Sequence, residues 1–245
     1  MKIGYDAKRI VRNATGLGAY ARTLVNDLSR QAADTDIELL LYAPDSGRDN
    51  LRNQVVETAC MHFVYPQFRL YSPLSSLQKA YWRSRGIVND LRRDGVQLYH
   101  GLSGELPQGL RNAGIPGVVT IHDLIFMRHP EYYHRVDAWL YARKFHATLR
   151  EATRIIAISE CTKRDIIELG DADPDRISVV YQSCNPRFGL ALEASVVDET
   201  CRRLVLPKRF VLSVGTIEER KNVLLAVQAL PLLPPTRRQT CLTLR

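Results

Sequence analysis

Four segments place chemically capable residues beside the ends of predicted strands or helices. The first is Thr15-Gly16-Leu17-Gly18-Ala19-Tyr20, at the mouth of the first predicted helix. Glycines let a ligand approach the backbone, and a helix N-terminus presents free N–H groups to an anion. The run Gly16-x-Gly18-x-x-Ala21 also fits a loose dinucleotide pattern. That pattern needs a tight turn after its strand, and roughly nine residues intervene here. The plain alternative is a flexible loop with Thr15 as helix cap. The second segment is His122-Asp123, after an apolar run Gly117 to Ile121. A neutral imidazole donates one hydrogen bond and accepts another, so it can meet a hydroxyl or a leaving group. It can equally be satisfied inside its own loop. The third, His100-Gly101 after Val96 to Tyr99, follows the same logic. The fourth is Gly215-Thr216-Ile217-Glu218-Glu219-Arg220-Lys221-Asn222. Arg220 and Lys221 are expected at a helix N-terminus, where two cations beside free N–H groups suit a diphosphate. The alternative is a solvated charge run.

The elements that must position these residues alternate. Lys2 to Asp6 reads as a strand, and apolar residues recur at helical spacing from Leu17 to Leu28. Glu38 to Tyr42, His62 to Val64, Val96 to His100, Gly117 to Ile121, Arg154 to Ile158 and Ile177 to Tyr181 read as further strands. Pro73 to Arg93, Val136 to Ala152 and Ser159 to Leu169 read as helices. Such alternation predicts a parallel sheet covered on both sides, with ligands beyond the carboxyl ends of its strands. Asp6, His100 and His122 all fall at or just past such ends. The pattern breaks near Asn185-Pro186-Arg187-Phe188. A linking helix is expected over Ala191 to Leu204, then a strand over Arg209 to Val214, a helix over Lys221 to Leu230 and a strand from Thr240.

The chain has 245 residues, with 45% hydrophobic and 24% charged content, as in ordinary globular proteins. Its net charge of +8 favours phosphate-bearing partners without choosing among them. The longest apolar runs fall far short of the ~20 residues of a spanning helix. No apolar leader is evident at the start, so a cytoplasmic location is expected. Five scattered cysteines without CxxC spacing argue against a disulfide framework or structural zinc. Asp171-Ala172-Asp173 spells a DxD metal motif, but lies in a loop after Gly170 with no phosphate-binding element nearby, and no metal site is expected there. His129 and His134 bracket a Pro130 turn and read as a surface loop. Arg69 to Arg93 is basic, interleaved with Leu74, Leu77, Tyr81 and Trp82. It reads either as an element docking on an anionic membrane surface or as a solvated outer helix.

Taken in order, Ile3-Gly4-Tyr5-Asp6, Thr15 to Tyr20, Val118-Val119-Thr120-Ile121-His122-Asp123, Ile156-Ala157-Ile158-Ser159-Glu160, Ile177 to Tyr181 and Val211 to Thr216 with Arg220-Lys221-Asn222 resemble the retaining family 4 glycosyltransferases. The resemblance implies an α/β GT-B fold. Residues 1–188 would form a Rossmann-like, parallel-sheet acceptor-side domain, 189–207 a linker, and 208–245 the start of an incomplete nucleotide-sugar domain. It implies that Gly16, Gly18, Arg220 and Lys221 bind the donor diphosphate. His122 would be catalytic at the transferred sugar, and His100 and Tyr20 would line the acceptor side. It implies transfer of a hexose, such as mannose, from a nucleotide-diphosphate sugar to a glycan or lipid-linked acceptor. No metal or other cofactor is implied, and no nucleic acid partner.

Three departures stand out. Thr216 replaces an Arg common in the family. Gln182-Ser183-Cys184-Asn185-Pro186 replaces Asn-Gly-x-Asp. The family's E-x7-E element would lie beyond residue 245, so the chain as written is expected to be truncated and inactive. A non-catalytic acceptor- or membrane-binding module is the alternative. A dinucleotide-dependent enzyme is a weaker third reading, because Asp45 comes late and follows Pro44.

Overall fold

The computed structural model describes residues 1–67, 75–207, 210–234 and 241–244. Contacts divide the chain into two units, residues 1–185 and 186–245.

In the first unit seven strands form one parallel sheet: β1 (Lys2–Asp6), β2 (Glu38–Tyr42), β3 (Met61–Val64), β4 (Leu98–Gly101), β5 (Gly117–Ile121), β6 (Ala152–Ala157) and β7 (Ile177–Val179). Their spatial order is β3-β2-β1-β4-β5-β6-β7. Strand side chains alternate between faces, so each strand feeds two cores. Leu39 and Leu41 join Tyr5, Met61 and Phe63 on one face, against Ala21 and Val25 of α2 (Gly16–Ala32). Leu40 and Tyr42 join Tyr99, Val119, Ile121 and Ile155 on the other. That second face is covered by α5 (Ile87–Arg93) and by α7 (Arg135–Glu151), through Leu91, Phe145 and Leu149. Burying each such Leu or Ile contributes about 1.5–3 kcal/mol, which secures the register of the sheet.

The strand order reverses between β1 and β4, with chain continuing outward on both sides. At such a switch point the loops after the two strands diverge and leave a crevice at their carboxyl ends. The short α1 (Lys8–Arg12) leaves β1 there, and residues 102–106 leave β4 there.

The expected helix over Pro73 to Arg93 is interrupted. After α3 (Asp49–Arg52), the described part comprises α4 (Ser75–Tyr81), a π-turn (Trp82–Gly86) and then α5. Residues 69–74 of the expected basic element lie outside the described residues. The extra residue of a π-turn rotates the next helical segment about its axis. Trp82 becomes buried, with its indole N–H donated to Asp90 at 2.7 Å. Between α6 (Ile125–Arg128) and α7, His129 meets Glu131 at 2.9 Å in an exposed turn. Helix α8 (Glu160–Gly170) is capped by the Ser159 hydroxyl, which accepts the Thr162 N–H. Asp171 ends it in the left-handed region and Asp173 caps the next turn, accepting the Asp175 N–H. Asp171 thus acts through its backbone and Asp173 through its carboxylate, both at turns.

The second unit holds α9 (Ala194–Arg203), β8 (Phe210–Ser213), α10 (Val223–Ala229) and β9 (Cys241–Leu244). β8 and β9 pair in parallel, Phe210 opposite Cys241. Over residues 186–207 and 210–234 no side chain is buried, and Leu224, Leu225 and Val214 stand exposed. A strand pair and two short helices enclose too little surface to bury a core. Among the described residues, no helix is long and apolar enough to cross a membrane.

Candidate active site

The first unit gathers four side chains at the carboxyl end of β5. His122 lies just past that strand. One of its ring nitrogens, Nε2, is 2.9 Å from the Leu102 carbonyl oxygen. A carbonyl only accepts, so Nε2 carries the proton and Nδ1 presents its lone pair. That lone pair accepts the side-chain N–H of Gln182 at 2.8 Å. The ring edge packs against Tyr20 of α2, centroids 5.0 Å apart at 84°. The main chain is held too, since Thr162 of α8 donates its hydroxyl to the His122 carbonyl at 3.1 Å. Burial pushes the His122 pKa down, opposed by the Leu102 hydrogen bond and by Asp123. The imidazole is therefore neutral, oriented and of one tautomer at neutral pH.

His100 supports this arrangement from below. It is 8% exposed, and Nε2 lies 2.9 Å from the Thr120 hydroxyl. Thr120 in turn lies 3.4 Å from the Tyr20 hydroxyl. Tyr5 of β1 packs on the His100 ring at 5.6 Å. Burial lowers the His100 pKa to about 4. Burial also raises that of Tyr20, so the row is uncharged. His100, Thr120, Tyr20 and His122 form one connected set, with His100 at its buried end.

The glycine turn is built by two residues that spacing did not single out. Asn13 Oδ1 accepts the N–H of Thr15 at 2.9 Å and of Gly18 at 3.1 Å, and the Thr15 hydroxyl at 2.8 Å. Thr15 holds the N-cap position of α2 but its side chain caps no N–H, and the Asn13 amide oxygen takes the Gly18 N–H instead. A Cβ on Gly18 would fall 1.9 Å from the Asn13 carbonyl oxygen, while one on Gly16 meets nothing within 4 Å. Gly18 is thus demanded by backbone packing and Gly16 leaves open space. As the first residues of α2, Gly16 and Leu17 have N–H groups with no acceptor among the described residues. Buried Arg22 fastens the loop, donating to the carbonyls of Ile10 and Asn13 at 2.9 Å each.

In the second unit, Arg220 and Lys221 lie in a 3-10 turn (Glu219–Lys221). Helix α10 begins only at Val223, after Asn222 in the left-handed region, φ 46°. The expected helix starting at Lys221 is therefore shorter, because Asn readily takes that conformation and breaks the helical path. Arg220 Nε pairs with Glu218 at 2.6 Å, so its charge is matched locally. Lys221 lines a cleft of about 240 Å³ with Ser213 to Ile217 and Val223, beside Gly215 at φ 153°.

Residues 21–188 match the family model Glycosyltransferase Family 4, more than half of the chain. The chain belongs to this family. The O-antigen chain mannosyltransferase B of Escherichia coli is 27% identical over 237 residues, 96% of this chain and 61% of that protein. The serotype-specific mannosyltransferase WbdA of the same organism is 30% identical over 149 residues, 59% of this chain and 18% of its own length. The chain thus spans about three fifths of the first of these relatives and under a fifth of the second. Among solved structures, Anabaena HepE in complex with UDP-glucose superposes with a TM-score of 0.65 at 17% identity, over 100% of this chain and 60% of that one. Sucrose-phosphate synthase from Thermosynechococcus elongatus gives 0.68 at 17%, over 100% and 62%. The α/β fold is of the GT-B type, with the Rossmann-like parallel sheet that the alternating pattern predicts.

Proposed function

We propose that this chain provides the acceptor side of a metal-independent, retaining glycosyltransferase that moves a hexose, mannose above all, from a nucleotide-diphosphate sugar to a glycan or lipid-linked acceptor. The observation that carries the reading is the neutral, single-tautomer imidazole of His122, held at the carboxyl end of β5. Membership of the family and the two mannosyltransferase relatives support the sugar class.

In this reading His122 meets a hydroxyl of the transferring sugar. The Gln182 amide gives way at Nδ1, which then accepts from that hydroxyl while Nε2 stays on Leu102. Gly16 and the unpaired N–H groups at the start of α2 receive diphosphate oxygens, and Gly18 acts through its missing side chain. In its own cleft Lys221 offers a cation to a diphosphate, with Arg220 released from Glu218 as its companion. Tyr20 contacts the acceptor, with His100 behind it, reaching it through Thr120. Exposed Leu77 and Tyr81 of α4, with Arg85 of the π-turn, support a peripheral contact with anionic membrane.

The test is a titration with several nucleotide-diphosphate sugars, followed by release of nucleoside diphosphate in the presence of a mannan acceptor. Saturable mannosyl-donor binding and acceptor-dependent release are expected of a transfer-competent form that includes this chain. Absence of binding for every donor in that form sinks the reading.

A further inference from the structure

A cavity of about 670 Å³ opens between the π-turn and α7, on the sheet face away from α2. Its wall carries five cations, Arg83, Arg85, Arg143, Lys144 and Arg150, against three carboxylates, Asp6, Glu105 and Glu151. All three carboxylates are occupied. Asp6 accepts the Lys8 N–H at 3.1 Å and Arg83 at 3.2 Å. Glu105 accepts Arg83 at 3.0 Å and Lys144 at 3.4 Å. Glu151 accepts the backbone N–H groups of Gly109 and Arg111 at 2.9 and 3.1 Å.

Three guanidinium groups are left without a carboxylate among the described residues. Arg85 donates twice to the neutral Gln108 amide oxygen, at 3.0 and 2.7 Å. Arg143 lies over the Trp139 ring at 5.5 Å, and Arg150 has no ion pair. A concave wall with uncompensated guanidinium groups concentrates positive potential. Guanidinium forks fit phosphate oxygens in pairs. Leu106, Leu140 and Ala147 add apolar wall, and the volume accommodates a phosphate together with the group it esterifies.

We propose that this cavity binds the phosphoryl group of a phosphate ester, with Arg85 and Arg143 as its direct contacts. The inference deepens the acceptor reading, on which it rests for its biological sense, by giving the acceptor a phosphate. The binding itself does not depend on sugar transfer. Two sources share this chemistry, a phosphorylated soluble glycan and the headgroup of an anionic lipid.

The experiment measures binding without turnover, so failure of transfer leaves it readable. The chain is titrated with sn-glycerol 3-phosphate, and separately sedimented with vesicles of phosphatidylglycerol or of phosphatidylcholine. It is compared with an Arg85→Gln/Arg143→Gln variant and with an Arg30→Gln/Arg48→Gln variant that loses the same charge elsewhere. All four positions are exposed, so circular dichroism should be unchanged. Weakening by about tenfold or more in the first variant alone is expected. Saturable binding of the soluble ester assigns the soluble source, and binding confined to phosphatidylglycerol vesicles assigns the lipid headgroup. Equal weakening in both variants, no weakening in the first, or no binding in either arm overturns the proposal.

Discussion

His122 donates its Nε2–H to the Leu102 carbonyl at 2.9 Å, and that one bond decides which ring nitrogen has a lone pair to offer. Leu102 is fully buried in the core and sits just past β4, and His122 sits just past the neighbouring β5. The acceptor nitrogen is thereby aimed by two residues that each directly follow a strand of the sheet.

Replacing His122 with Ala should reduce transfer by about 100-fold or more, the range typical of losing a positioned polar group in a transition state. Acceptor affinity should change far less, because the ring is proposed to act on the transferring sugar. Steady-state kcat and KM measured on a transfer-competent form separate the two. Unchanged kcat removes His122 from the mechanism.

Gln182→Leu takes away the donor at Nδ1 and leaves the Leu102 bond in place. The nitrogen shifts of the His122 ring should still report a protonated Nε2. Turnover should fall by less than in His122→Ala. A variant in which Nδ1 becomes the protonated nitrogen contradicts the assignment of the tautomer to Leu102.

The two glycines of the first turn should respond in opposite senses. Gly18→Ala drives a Cβ against the Asn13 carbonyl oxygen and should destabilise the fold by about 2–4 kcal/mol. Gly16→Ala enters open space at the start of a helix and should be neutral or stabilising by up to ~1 kcal/mol. Urea unfolding midpoints of the two variants provide the comparison.

Burial of His100 should make the fold acid-sensitive. Its folded pKa of about 4 lies below the unfolded value of about 6.5, so the folded chain binds fewer protons between those values. Its contribution is intact above about pH 6.5 and declines as pH falls towards 4, by about 3 kcal/mol in all. His100→Leu should flatten the dependence of unfolding free energy on pH across that window. A variant whose pH profile keeps the wild-type slope assigns the acid sensitivity elsewhere.

Arg83 bridges Asp6 and Glu105, both in the low-dielectric wall of the cavity. Their charge holds its pKa above the ordinary arginine value despite burial, and Arg83 with Lys144 holds that of Glu105 down. Arg83→Met leaves the 5%-exposed Asp6 without its cation and should cost about 3 kcal/mol. Thermal unfolding at pH 7 measures it, and a further Asp6→Asn change should recover part of the loss.

Local pattern was enough to read the alternating strands and helices, because burial on two faces demands apolar runs and each helix demands its own period. It was also enough to mark Asp6, His100 and His122 as strand-end residues, and the ordered motifs named the family. Spacing did not single out Arg22 or Gln182, whose partners Ile10, Gln54 and His122 lie 12 to 60 residues away along the chain, nor Asn13, which has no sequence signature until the start of α2 folds onto it. Nor could it tell that Trp82 turns inward, because a π-turn displaces the helical phase from which exposure is read. Burial of His100, the tautomer of His122 and the occupied state of Asp6, Glu105 and Glu151 were decided by tertiary structure alone. Each depends on what distant segments place within hydrogen-bonding distance: Thr120 and Leu102 lie 20 residues from His100 and His122, and Arg83 lies 77 residues from Asp6.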